Sequence, residues 1–235
     1  MVTAVQRLIG KIQCMTCNEV MGRLQSLSNA MIHKHNAKRG AGDNQFGVKS
    51  TDLRVLAKQI KANQDLAEEL WVTGNLDAML LATLLMKPKQ LTVMDLDRLL
   101  GSVTYSHIAD WLGTNVVKLH PDKEAQRERW MNSKNLMTAR MGWSLTAERI
   151  IKNPEGLDLS GLLDRIDAEM GAAPEDVQWT MNYCLAEIGI RNPHYRERAL
   201  AMGEKIGAFR DFPASKGCIS PFAPIWITEM VKRQG

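Results

Sequence analysis

No stretch of this 235-residue chain comes near the roughly 18 consecutive apolar residues of a membrane span. The opening segment "MVTAVQRLIGKIQCMTC" also lacks the uninterrupted apolar core of a secretion signal. Both absences point to a soluble, cytoplasmic protein. Phosphate-cradling loops of the form GxxxxGKS or GxxxxGKT are missing, and so are GxGxxG after a strand, GxSxG and HExxH. Nucleotide, dinucleotide, serine-hydrolase and zinc-protease chemistry are thereby set aside. Histidines number five, and His107 and His194 stand away from any metal-ligand spacing, so neither metal nor cofactor is expected. Of four cysteines, Cys14 and Cys17 form a CxxC without a second pair or a surrounding βαβ pattern. That favours reduced, mostly buried thiols over metal or redox chemistry.

What is present is ordinary for a globular chain: 45% hydrophobic and 24% charged residues, with a formal charge of +4 and a sequence pI near 8.9. Such a mild basic excess is compatible with a face that meets phosphate, and equally with a solvated surface. Helical periodicity runs through the chain, and no convincing alternating strand is found. "STDLRVLAKQIKAN" starts with Ser50 or Thr51 as cap and places Leu53, Leu56, Ala57 and Ile60 on one stripe. "LAEELWVTG" predicts a left-handed terminus at Gly74, and "NLDAMLLATLLMKP" reads as an inner helix covered on several sides. Further helices are predicted after Thr92, from Pro121, over "NLMTARMGWSLTAERIIKNPEG", and on either side of Gly171–Pro174. The last is capped by Ser220 with Pro221 just inside.

A dozen or so helices in pairs, recurring about every 35–45 residues, suggest an all-α fold of HEAT-like units stacked into a curved α-solenoid. The units are unlike one another in sequence, and an irregular helical bundle is the structural alternative. The length suits one elongated domain or two small ones; the uniform pattern favours a single domain over 1–235. In this reading 1–17 packs less tightly and 213–235 forms a C-terminal cap.

Candidate functional residues are those that leave the core stripes. In a helix over 106–118, Ile108, Leu112, Val116 and Leu119 face the core. Asp110 and Ser106 project elsewhere, flanked by His107 and Trp111. An acid near the first turn of a helix also has an ordinary electrostatic explanation. Over 175–189, Val177, Met181, Cys184, Leu185 and Ile188 form the core stripe, leaving Trp179 and Tyr183 on another side. Such a pair calls for a neighbouring helix or for a ligand that stacks on it. Arg140 sits mid-helix with Trp143 on its side; it either pairs with an acid or grips phosphate. Lys134, Arg149 and Lys152 could extend a phosphate track.

"FGVKSTDLRVLAKQIKANQDLAEELW", then "LDAMLLATLLMKP", resembles the opening units of the AlkD-type DNA alkylation repair family. "SKGCISPFAPIWITEM" is similar to the Cys-x-x-Pro ending of one branch of it. The likeness runs from about Asn18 to the C-terminus and rests on the order and spacing of several modest motifs. It implies a HEAT-like solenoid whose concave basic face holds duplex DNA, and in active members a glycosylase releasing purines alkylated at N3 or N7. The family's signature carries its aspartate onto Asp110, its arginine onto Arg140 and its second aromatic, a tryptophan in the family, onto Tyr183. Its first tryptophan falls on Ser106. Loss of that wall removes a cation–π contact worth about 0.5–2 kcal/mol to a cationic base. His107 or Trp111 could fill part of the gap.

An alkylated purine is already a cation and leaves without a general acid. On the resemblance, Asp110 therefore stabilises the oxocarbenium-like sugar and orients water, while Arg140 clamps a phosphate. The implied enzyme is a monomer acting on double-stranded DNA with alkylated bases. A HEAT-like protein that binds damaged or unusual DNA without cleavage is the alternative. A protein-binding scaffold with weak, salt-insensitive DNA binding is a third reading.

Overall fold

A computed structural model describes residues 15–214 and 217–234. Cys14 lies outside these, as does most of the 1–17 segment, while Cys17, Cys184 and Cys218 carry free thiols. The described residues contain thirteen α-helices and no strand. The chain divides into two compact units, 1–90 and 91–235, where a single domain is expected from the sequence pattern.

The first unit holds α1 (Cys17–Ser26), α2 (Ala30–Lys38), α3 (Ser50–Ile60), α4 (Gln64–Val72) and α5 (Leu76–Leu85). Helix α5 is the apolar inner helix expected: α1, α3 and α4 pack on it, and nine of its ten residues are buried. Its buried acid, Asp77, accepts backbone N–H bonds from Phe46 (2.6 Å), Gly47 (3.1 Å) and Val48 (2.8 Å). One carboxylate thus satisfies three loop donors that would otherwise lie unpaired. Leu53 and Leu56 are buried, with Ala57 and Ile60 partly covered beside them. Gly74 adopts φ +63° after α4, the left-handed terminus expected there. The cap of α3 differs from expectation. Lys49 is the boundary residue with no side-chain bond, and Ser50 is already helical.

The second unit holds α6 (Val93–Ser102), α7 (Ser106–Asn115), α8 (Lys123–Met131), α9 (Leu136–Lys152), α10 (Leu159–Glu169), α11 (Glu175–Arg191), α12 (Pro193–Ile206) and α13 (Ala223–Lys232). Its centre is the long pair α9 and α11, against which α6, α7, α8, α10, α12 and α13 pack. The stripe Val177, Met181, Cys184, Leu185 and Ile188 is buried as expected. Two starts are displaced: α8 begins at Lys123, leaving Pro121 outside, and α13 begins at Ala223 with Pro224, not Pro221, in its first turn. Leu119 is a clearer correction. It is 61% exposed because α7 ends at Asn115 and a 3₁₀ turn over Val117–Leu119 shifts the phase. Val117 takes the core position instead.

Candidate nucleic-acid interface

Helix α7 turns Ile108, Ala109, Trp111, Leu112 and Gly113 inward, and this leaves Asp110 outward with its side chain 55% exposed. Gly113 faces Met141 of α9 so closely that a Cβ there would lie 2.9 Å from the methionine methyl. That close approach sets the neighbouring Arg140 beside Asp110. The guanidinium is buried and grips the carboxylate from two nitrogens: Nη2 to Oδ1 at 2.8 Å and to Oδ2 at 3.1 Å, with Nε to Oδ1 at 3.2 Å. Its remaining nitrogen, Nη1, donates to the backbone carbonyl of Asp176 in the first turn of α11 at 2.7 Å. Arg140 thus ties three helices together.

Of the two roles open to Arg140, ion pairing is the one its geometry displays. A turn outward toward phosphate would strand both the Asp176 carbonyl and a buried cation's partner. The Asp176 contact went unforeseen: the acids that open α11 signal a helix start, and a backbone acceptor leaves no mark in sequence. Lys118, also unmarked, is half-covered. Burial pushes its ammonium below the usual lysine value, against the pull of the nearby Glu148 and Asp110 carboxylates.

The aromatic candidates separate. Trp143 is 1% exposed and belongs to the core, with the Arg165 guanidinium 5.1 Å from its ring centroid. From there it faces no ligand on the surface, which corrects its placement among nucleic-acid contacts. Tyr183 is half-buried, stacked on Trp226 of α13 with centroids 5.3 Å apart and planes 17° apart. Burial and the neighbouring Glu187 raise its phenol above the usual tyrosine value. Trp179 meets Phe209 edge-on at 5.1 Å and Phe212 at 5.5 Å. Neighbouring elements therefore cover both rings in part.

His107 is exposed, its ring 6.0 Å from that of Trp111 and 6.1 Å from Tyr105, while Ser106 is half-buried at the first position of α7. Lys134 is exposed in the turn before α9. The remaining members of the expected track are engaged elsewhere. Arg149 pairs with Glu124 and donates to the carbonyls of Asn153 and Glu155, and Lys152 reaches Glu148 at 2.7 Å. Among the described residues, no group of three His, Cys, Asp or Glu side chains could hold a metal ion, and no helix is long and apolar enough to cross a membrane.

The family model described as "DNA alkylation repair enzyme" matches residues 20–208. The chain belongs to this family. Proteins similar to it include an uncharacterized protein of Listeria innocua and one of Listeria monocytogenes. Each is 24% identical over 224 residues, covering 93% of this chain and 98% of the relative. A solved structure aligns with TM-score 0.77 and 25% identity over 94% of this chain and 95% of that one. It represents a family related to the HEAT-like repeat DNA glycosylases, with affinity for branched DNA structures. The all-helical, HEAT-like fold expected from the sequence is therefore the fold this family member has.

Proposed function

We propose that this member of the DNA alkylation repair family binds DNA, with preference for branched or otherwise irregular structure, and does not cleave the glycosidic bond. The state of its aromatic positions carries this reading. Where the AlkD-type pattern places a first tryptophan the chain has Ser106, and the ring at the second position, Tyr183, is stacked on Trp226. A cationic base would find no free pair of aromatic walls. Asp110, the carboxylate that would face a developing sugar cation, already has its charge offset by the Arg140 guanidinium. The affinity for branched DNA attributed to the structural neighbour agrees with this reading.

Glycosylase action by a monomer on alkylated duplex is the second reading. The exposure of Asp110 favours it, because a carboxylate 55% open to solvent can still orient a water.

One paired experiment decides. Binding to a three-way junction and to a linear duplex of equal length is compared, and base release from methylated duplex is followed for wild type and Asp110→Asn. The expected outcome is at least tenfold tighter junction binding and no released 7-methylguanine or 3-methyladenine. Release of either base by wild type that vanishes in Asp110→Asn would establish the glycosylase instead. Failure to bind either DNA would leave the scaffold reading.

A further inference from the structure

Charge is distributed unevenly along the chain. Residues 1–90 carry 12 Lys and Arg against 7 Asp and Glu, whereas residues 91–235 carry 18 against 19. The excess concentrates further. From 20 to 42 there is no acid at all, but there are Arg23, Lys34, Lys38 and Arg39, with His33 and His35. Most of these lie on or just after α2.

Helix α2 differs from the other described α-helices in burying none of its residues. Its exposed residues Met31, Lys34, His35 and Lys38 recur at the i, i+3, i+4, i+7 spacing that lines one side of a helix. In most surface helices that spacing marks the apolar face; here, beyond the exposed Met31, it carries Lys34, His35 and Lys38. Among the described residues, Lys34, Lys38 and Arg39 have no acidic partner. Arg140, Arg149 and Lys152 in the second unit are, by contrast, paired: Arg140 with Asp110, Arg149 with Glu124, Lys152 with Glu148.

A short helix without an apolar face needs another anchor, and polar bonds provide it. The Asn29 side chain caps it through the N–H groups of Met31 (3.0 Å) and Ile32 (3.1 Å). The Asn29 N–H reaches the Phe46 carbonyl at 3.1 Å, and Asn36 donates to Gln45 at 3.0 Å. Phe46, Gly47 and Val48 are in turn held by the buried Asp77. The unit therefore mounts, on a fixed base, a helix that adds nothing to its hydrophobic core.

We infer that the outer side of α2, with Lys34 and Lys38 and the adjoining Arg39, is a binding surface for the DNA phosphate backbone, distinct from the Asp110 centre. The inference rests on the DNA-binding reading above and adds where the electrostatic grip lies. The partner is fixed by charge and spacing: unpaired cations suit a polyanion. Four residues advance a helix by about 6 Å, close to two phosphate steps of about 3.4 Å along one strand. Contacts from these cations to phosphate oxygens carry no sequence information, so the surface contributes affinity without regard to sequence.

The test compares wild type, Lys34→Ala/Lys38→Ala, and a control, Lys58→Ala/Lys89→Ala, that removes the same charge from exposed positions elsewhere in the unit. Each is titrated with a three-way junction and a linear duplex over a potassium chloride series. Each lost phosphate contact should reduce the slope of log K against log salt by about 0.9. The α2 variant is expected to lose about two units of slope and at least tenfold in affinity for both DNAs. The control should stay close to wild type, and the thermal midpoints of all three should coincide. An unchanged slope in the α2 variant overturns the inference while leaving the DNA-binding reading intact. An equal loss in the control overturns it too, because the effect would then be net charge rather than a site. If wild type binds neither DNA, the DNA-binding reading itself falls. Binding to phosphatidylserine vesicles that depends on Lys34 and Lys38, with no such dependence for DNA, would assign the surface to lipid and overturn the inference.

Discussion

Arg140 shows how a residue type that suggests phosphate binding can be committed to structure instead. Each side of its guanidinium has a partner, one a carboxylate and one a backbone carbonyl, and the side chain is only 7% exposed. Arg140→Ala should therefore lower stability by about 2–3 kcal/mol, measured by urea denaturation, because charge-assisted bonds are lost and the Asp176 carbonyl is orphaned. The same variant should leave the salt slope of DNA binding unaltered; a flattened slope would restore a phosphate role.

Glu148 supplies a pH-dependent counterpart. Burial pushes its carboxyl up, but hydrogen bonds from Lys152 and Lys123 outweigh that and hold it below its ordinary value of 4.5. A carboxyl lowered by folding contributes stability above its unfolded pKa and loses it as pH falls through the folded value. Wild type should thus lose urea resistance as pH falls from the ordinary value of 4.5 through the lower folded value. In Glu148→Gln the acid-dependent part of the loss should shrink; an identical pH profile would remove Glu148 from the account. Its second oxygen, Oε2, has no hydrogen-bond partner among the described residues, so the two lysines converge on a single atom, Oε1.

At the level of elements, the contact between α8 and α9 depends on the absence of a side chain. A Cβ on Gly142 would lie 2.2 Å from the Met131 nitrogen and 2.6 Å from the Trp130 carbonyl carbon. Both are backbone atoms and cannot swing aside. Gly142→Ala should force the helices apart and cost about 3 kcal/mol, at the upper end of overpacking effects, despite the better helix propensity of alanine. A chemical-denaturation midpoint at or above wild type would contradict the close crossing. The core stripes of α3 and α11 and the apolar character of α5 were legible from spacing alone. Helix ends were less so. Leu119 leaves the core and Ser220 the cap position because a 3₁₀ turn and a late helix start change the phase without altering composition.

On the scale of the molecule, each unit has its own organising core: α5 with the Asp77 loop anchor in 1–90, and the α9–α11 pair in 91–235. Asp77→Asn keeps the shape but weakens three charge-assisted bonds to Phe46, Gly47 and Val48. Hydrogen exchange should therefore quicken at those amides and along α2 and α5, by tenfold or more, while α9 and α11 retain their protection. Uniform loss of protection through 91–235 would show that the chain unfolds only as a whole.

Sequence by itself determined the helical class, the paired arrangement, the inner helix, the core stripes and the family resemblance. All of these depend on local periodicity and on motifs read in order. The acid-free stretch at 20–42 is also visible there as composition. Tertiary structure alone decided which polar residues remain available to a partner. Asp110 and Arg140 lie thirty positions apart, and nothing local shows that α7 and α9 approach at Gly113 and Met141 closely enough to join them. Nor does spacing disclose that Trp226 covers Tyr183, that Trp143 is core, or that α2 buries nothing. Whether a side chain is spent or free depends on its neighbours across the fold, and those neighbours are set by packing between elements.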